Sequence, residues 1–567
     1  SDFSNEEILD ETIWQENIKY VVDVCDTRTD EQALAAYYDD VRGHNYAVID
    51  GLGPLTDAYK TGSGASTTID HSSDGFDVNE VITYEEDDDG VDGGTSDSDL
   101  GEIYDLVYCL RQAAASTNGS KYFYLSPRPW RMNDNGEVVE LDDDSDGVAD
   151  TETLGTTEEG NLRTYKVYES NVAVVPALKY YRRNEERGGR GKDGGYPSGH
   201  TNAAYLASIA YAYAVPERFS EIFTRASQFG EHRILAGMHS PLDVMGGRIH
   251  ALAIAAAAFS NGDNDEKKAS AYERAEEYFG SLAQDEGLTL YEYAHTNDTG
   301  DWADHDANKA LYRERMAYGF TQDSDLAGAD PIVPQGAETL LETRLPYLTA
   351  AQRRAVLYTT EVDSGYPVLD DSNGWGRLDY VKAADGYGAF LGDVTVTMNA
   401  INGRFNEHDW WRNDISGEGL LTKNGTGMLT LTGDNSYSGG TLLEEGTLEA
   451  ESTTAFGNGD LYVQNGTVLV DADGCLVLGG NFTMDGGTLD IVMDSDASQI
   501  SVDAMVYLDG GSLTLDFSSY EVTSGTEFTL ISAETVSGEF ESVTADGYEI
   551  SITYNSDSIV AYVESVE

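Results

Sequence analysis

Apolar residues recur at helical spacing in 6–20, 102–116, 202–214, 241–260 and 266–283. That period places one face of each segment against a common core, and predicts an all-α helical bundle over 1–395 with long loops between its helices. After about residue 415 the pattern changes to short alternating strands, at 428–433, 440–450, 465–470, 487–493 and 511–517, rich in Gly, Thr, Leu, Val, Asp and Ser. Turns of the type G-G-T-L or G-S-L recur between them, irregularly, about one or two dozen residues apart. A repeat of that size buries its apolar face only against its neighbours, so 416–567 is expected to form an all-β, right-handed β-helix. Residues 396–415 are expected to be the linker of this multi-domain chain.

The chain has 567 residues, more than one ordinary core needs, and 40% of them are apolar. Lys and Arg number 34 against 102 Asp and Glu, a net charge of -68, which repels nucleic acid and anionic surfaces at a distance. Screening confines that field to about 8 Å at physiological salt, so a local cluster of cations still attracts an anion. The acidity itself asks for counterions, supplied by bound calcium or by salty surroundings. An acidic insertion at about 138–160 contains Asp142, Asp144, Asp146, Gly147, Val148 and Asp150. Its D-x-D-x-D-G-x-x-D spacing converges oxygens on one structural Ca²⁺; the competing reading is a solvated loop, and Thr153 stands where an EF-hand places its Glu. Of three cysteines, Cys25 and Cys109 are the two open to pairing in an oxidising compartment, with Cys475 alone in the other half. The apolar runs 203–214 and 251–259 fall short of the roughly 18–20 residues of a membrane span and are read as buried helices. The start at Ser1, with neither an initiator Met nor an apolar leader, fits a mature secreted product or a trimmed chain.

Three separated fragments carry the chemistry: Lys121-YFYLSP-Arg128-Pro129, Pro197-Ser198-Gly199-His200, and Arg233-ILAGM-His239-SPL-Asp243. The second stands at the entrance of an apolar helix, where free backbone N–H groups make an anion site. There Gly199 admits close approach, Ser198 donates a hydroxyl, and His200 lies at the pocket edge; the plain alternative is a helix cap. In the third, Asp243 follows His239 by four residues, near enough to accept from Nδ1 and leave Nε2 as a nucleophile. Ser240-x-x-Asp243 is also a capping box, and the two roles are compatible. Lys121, Arg128, Arg131 and Arg233 would bracket an anion in a chain otherwise poor in cations.

Together these fragments resemble the signature of the type 2 phosphatidic acid phosphatase superfamily, which includes bacterial non-specific acid phosphatases and vanadium haloperoxidases. The wording Gly195-Tyr196-Pro197-Ser198-Gly199-His200-Thr201 is especially similar to the soluble secreted acid phosphatases, and the resemblance covers about 100–260. It implies that Lys121, Arg128, Ser198, Gly199 and Arg233 bind the phosphoryl oxygens. It also implies that His239 is the nucleophile, Asp243 its orienter and His200 the general acid and base, with no metal required for catalysis. Two departures stand out: His232 replaces the usual Ser before Arg233, and the interval from Arg128 to Pro197 is long. Residues 420–450 resemble the autotransporter-associated β-strand repeat of bacterial exported passengers, which implies a stalk, spacer or assembly surface. The combined expectation is a secreted or cell-surface bacterial phosphatase that hydrolyses small phosphate monoesters through a phosphohistidine. It has no nucleic-acid partner and no membrane span, and the β-helix offers self-assembly or outer-membrane attachment. The alternatives are a haloperoxidase holding vanadate in the phosphate site, or an exported structural or adhesive protein with a vestigial catalytic domain. Residues 261–415 carry no functional reading.

Overall fold

A computed structural model describes residues 8–112, 115–143, 145–156, 162–182, 193–370, 372–495 and 497–566. The chain divides into two units, 1–343 with 361–381, and 344–360 with 382–567.

In the first unit the helices that position the site are α1 (Glu11–Thr27), α2 (Asp30–Val41), α3 (Gly101–Leu110), α4 (Asn118–Tyr124), α5 (Gly199–Ala214), α6 (Phe219–Leu235), α7 (Pro241–Phe259) and α8 (Asp265–Asp285). Helix α5 is apolar around its whole circumference and is buried from Thr201 to Ala214, the condition for a central helix. Helices α3, α6, α7 and α8 pack on it, and α2 lies along α6. Capping fixes where these helices start. Thr29 and Gln32 form a reciprocal box at α2, and Ser240 and Asp243 do the same at α7 with Pro241 in its first turn.

The unit is not all-α. The acidic insertion continues into an antiparallel hairpin, β1 (Thr151–Thr156) with β2 (Leu162–Lys166), in which Glu152 faces Tyr165. Alternation buries Leu154 and Tyr165 here, and the Tyr165 hydroxyl donates to Tyr180 O at 2.9 Å. One helix bears on the expectation about membrane spans. Among the described residues α7 is the one helix long and apolar enough to cross a membrane by length and composition. Of its apolar window 61% is buried inside the protein, and Asp243 stands in its first turn. Cys25 and Cys109 are not joined. All three thiols are free, with Cys25 against Ile234 O and Cys109 against Asn264 Oδ1.

The second unit combines a helix, α9 (Ala350–Thr360), with a parallel β-solenoid. The stretch expected as a linker is part of it: β3 (Val394–Thr397) and β4 (His408–Trp411) pair in parallel with Leu421–Asn424 and Met428–Leu431. Val396 and Trp411 are fully buried there; the run lacks Gly-rich turn wording, so its alternation is short but real. Two seven-stranded parallel sheets run along the solenoid, and a third sheet ends in antiparallel strands Tyr548–Tyr554 and Ser558–Val566. Leu429, Leu448, Val468, Leu489 and Leu513 stack in register as one buried column. An edge strand left open would invite further pairing, and the closing hairpin covers one.

Inside the solenoid Lys423 is buried, and its ammonium donates to Gly425 O at 2.9 Å, Asn424 O at 3.1 Å and Glu445 O at 3.2 Å. Burial lowers its pKa to about 8. Gly446 closes over it with φ +78°, and a Cβ there would lie 2.2 Å from Gly425 O, so only glycine fits. Lys423→Met is expected to lower the stability of this unit by about 1–3 kcal/mol through the carbonyls left unpaired. The readout is the urea midpoint of its unfolding transition, and an unchanged midpoint would show that those carbonyls find water instead.

Candidate active site

The Pro197-Ser198-Gly199-His200 turn ends on Ser198, the N-cap of α5. Its oxygen accepts from Thr201 N at 3.3 Å and from the Thr201 hydroxyl at 2.9 Å, which leaves its own hydrogen free to donate. The first N–H groups of α5 have no helical partner by construction and carry the positive end of the helix dipole. The second and third fragments are tied together through the backbone, Ser198 N donating to Asp243 O at 2.8 Å.

At the start of α7 one oxygen does two jobs. Asp243 Oδ2 accepts from Ser240 N at 3.0 Å and lies 3.1 Å from His239 Nδ1, so capping and ring orientation coexist. A Cβ on Gly195 would stand 2.8 Å from that same oxygen, which is why glycine precedes the turn. With Nδ1–H on the carboxylate, the lone pair of His239 is on Nε2, and Arg128 Nη1 lies 3.0 Å from it.

The cations converge from three elements. Lys121, on α4, donates to Gly194 O at 2.7 Å. Arg128 donates to Met238 O at 3.1 Å and from Nε to Asp193 at 3.3 Å, and Arg131 pairs with the same Asp193. Arg233, at the end of α6, pairs through Nη1 with Asp40. Its Nε is buried with no acceptor among the described residues, a donor waiting for an oxygen. The main chain closes the turn to His239, Met238 N and His239 N both donating to Arg233 O at 3.1 Å.

Both imidazoles feel the same charges. Burial pushes His239 well below the usual range for histidine, with Arg128, Lys121, Arg233 and His200 adding to the shift. Burial likewise pushes His200 well down, together with Arg233, His44, Arg128 and Lys121. Both rings are thus biased toward the neutral form, and neutrality is what a nitrogen nucleophile needs. Burial raises Asp243 to about 6 against the pull of Ser240 N–H, Lys121 and Arg128, so it is ionised above that pH.

The structure thus brings together Lys121, Arg128, Ser198, Gly199, His200, Arg233, His239 and Asp243. It also adds groups that the sequence reading did not single out: Asp39, Asp40, His44 and Asp193. His44 packs edge-on against His200 with ring centroids 4.6 Å apart. His232 turns out to face α2, its Nδ1 lying 2.6 Å from Asp39, so the departure before Arg233 serves the helix seam. In the acidic loop Asp142 accepts from Asp146 N and Gly147 N, Asp146 from Val148 N, and Asp150 from Asp143 N. Asp144 lies outside the described residues, and among those described no three metal-ligating side chains converge anywhere.

Comparison with known proteins agrees with this division. The chain is similar to the neisserial autotransporter lipoprotein NalP of Neisseria meningitidis serogroup B, 33% identical over 214 residues, which cover 36% of this chain and 18% of that protein. It is 30% identical over 182 residues to an extracellular serine protease of Serratia marcescens, covering 27% of this chain and 17% of the relative. A non-specific acid phosphatase of Salmonella typhi is 36% identical over 89 residues, 13% of this chain and 36% of the relative. Each match thus spans well under half the length of these relatives. Residues 102–266, which hold all three fragments, match the family model of the PAP2 superfamily, and 421–450 match that of the passenger-associated-transport-repeat. The chain therefore carries a PAP2-superfamily domain followed by a passenger-associated repeat within its β-solenoid.

Proposed function

We propose that the chain is an exported bacterial phosphatase that hydrolyses small phosphate monoesters through a phosphohistidine. In this reading the helical unit is the catalyst, and the solenoid, wound right-handed, is a stalk or assembly surface at the cell exterior. The observation that carries it is the placement of His239, its Nδ1 3.1 Å from Asp243 and its Nε2 3.0 Å from Arg128, in a site whose burial and cations Arg128, Lys121 and Arg233 favour the neutral ring. The acid-phosphatase and autotransporter relatives support the same reading.

The phosphoryl group is held by Lys121, Arg128, Arg233, the Ser198 hydroxyl and the N–H groups at the start of α5, which stabilise its equatorial oxygens. Arg128 exchanges its contact with Nε2 for a phosphoryl oxygen. His239 Nε2 then forms a bond to phosphorus as the ester P–O bond breaks, and His200 gives its proton to the leaving oxygen. In the second half, His200 takes a proton from water, the resulting oxygen nucleophile displaces His239 from phosphorus, and inorganic phosphate leaves.

His200 must be protonated for the first step, yet burial and the surrounding cations oppose that charge. A bound phosphate dianion offsets those cations and lets the ring take up its proton. The basic limb of kcat is therefore expected at higher pH than the basic limb of kcat/KM, since the first reports the complex and the second the free enzyme. The acidic limb is set by Asp243 near pH 6. Coincident basic limbs would remove the support for this proton's origin. The wider test is a phosphate-release screen over sugar, nucleotide, phytate and lipid esters, with and without Ca²⁺. Vanadate-dependent bromination by peroxide without phosphate release would overturn the hydrolase reading in favour of a haloperoxidase.

A further inference from the structure

Helix α2 lies outside the segment that matches the superfamily, yet it reaches into the site. It delivers two consecutive carboxylates to two consecutive residues of α6. Asp39 lies 2.6 Å from His232 Nδ1 and takes Arg225 in a two-pronged contact of 2.6 and 2.9 Å. Asp40 pairs with Arg233 Nη1, and its other oxygen is 3.8 Å from His200 Nε2. Successive helical residues diverge by about 100°, so Asp39 enters the helix seam while Asp40 faces the reacting groups. The seam is tied further by Arg225, which also donates to Asp50 and to Ala47 O, both at 2.7 Å. The stretch of α2 that carries Asp40 is thus held against α6 by contacts of its neighbour Asp39 that have no part in binding phosphate.

We propose that Asp40 is a positioning residue of this site: its carboxylate grips Arg233 by one nitrogen and supplies the negative charge that the protonated His200 ring faces. The inference rests on the phosphatase reading and deepens it.

Two observations carry it. With Nη1 on Asp40, the remaining donors of Arg233 include the buried Nε that has no acceptor among the described residues, so the grip presents the fork's open side to an oxyanion. His200 faces Arg233, His44, Arg128 and Lys121, all cationic or neutral. Among the described residues Asp40 is the one carboxylate within ion-pair distance of its ring. In the proposed cycle the proton moves between His200, the leaving oxygen and water, and Asp40 acts only through its contacts with Arg233 and His200.

The test is steady-state kinetics of the full chain with p-nitrophenyl phosphate across pH, for wild type, Asp40→Asn, Asp40→Glu, His200→Ala and the Asp40→Asn/His200→Ala pair. Asp40→Asn is expected to lower kcat about tenfold or more, a part of the roughly 10²–10⁴-fold that a general acid contributes. The basic limb of kcat moves to lower pH and KM rises, because Arg233 is no longer held with its open side toward the oxyanion. Asp40→Glu recovers the limb, and in the His200→Ala background Asp40→Asn costs little more. An unchanged profile, additive losses in the double variant, or loss of fold in both Asp40 variants would overturn the proposal and leave Asp40 a structural residue. A wild type that releases phosphate, needs His239, and keeps its profile in Asp40→Asn defeats this inference alone. A wild type that releases none defeats the phosphatase reading with it.

Discussion

His239→Ala is expected to abolish turnover of p-nitrophenyl phosphate, a loss of at least about 10⁴-fold in kcat, the scale seen when a covalent nucleophile is removed. No other described group matches its position. Its Nδ1 is fixed by Asp243, its Nε2 faces Arg128, and its main chain is pinned to Arg233 O. In the proposed mechanism His200 does not substitute, because it sits at the start of α5 and there serves to protonate the leaving oxygen. The same variant should keep its affinity for inorganic phosphate within a few-fold, since Lys121, Arg128 and Arg233 remain. Release of nitrophenol at an undiminished rate would refute the assignment, and trapping of labelled phosphate on wild type but not on the variant would support it directly.

Asp39→Ala is expected to destabilise the helical unit by about 3–5 kcal/mol, the cost of removing one partner from a buried ion pair. Arg225 and His232 are both buried and both lean on this carboxylate; without it, a guanidinium in the α2–α6 seam loses its principal counter-charge. Burial alone would raise Asp39, but Arg225 and His232 outweigh it and hold the carboxyl well below the usual range. A depressed carboxylate contributes its full stability above its unfolded pKa of about 3.9, and that contribution fades as pH falls toward the folded value. Wild type and Asp39→Ala should therefore differ most in urea midpoint at neutral pH and converge in strong acid. A constant or growing difference on acidification would count against the linkage.

Much of this site was legible before any coordinates. The Ser240-Pro241-x-Asp243 run declares a helix start, and the four-residue step from His239 to Asp243 puts carboxylate and ring within reach, because both facts are local. The solenoid declares itself through recurring Gly-Thr-Leu wording, since each rung repeats the chemistry of the last. Where that wording thins, at 394–411, the strand pattern is too short to stand out, and burial of Val396 and Trp411 becomes evident only through the rung beside them. The hairpin at 151–166 hides in the same way, its two buried side chains set among acidic and polar neighbours.

The sequence by itself determined the candidate site residues, the helix starts that aim them and the change of period between the two units. All of these depend on residues close together in the chain, where spacing is geometry. Only the tertiary structure decided that α2 brings Asp39 and Asp40 to His232 and Arg233, 193 residues further along. It alone showed Asp193 between Arg128 and Arg131, and His44 against His200. Pairings between distant helices follow from how their surfaces interlock, and a chain with 102 carboxylates offers too many equal candidates for composition to choose among them.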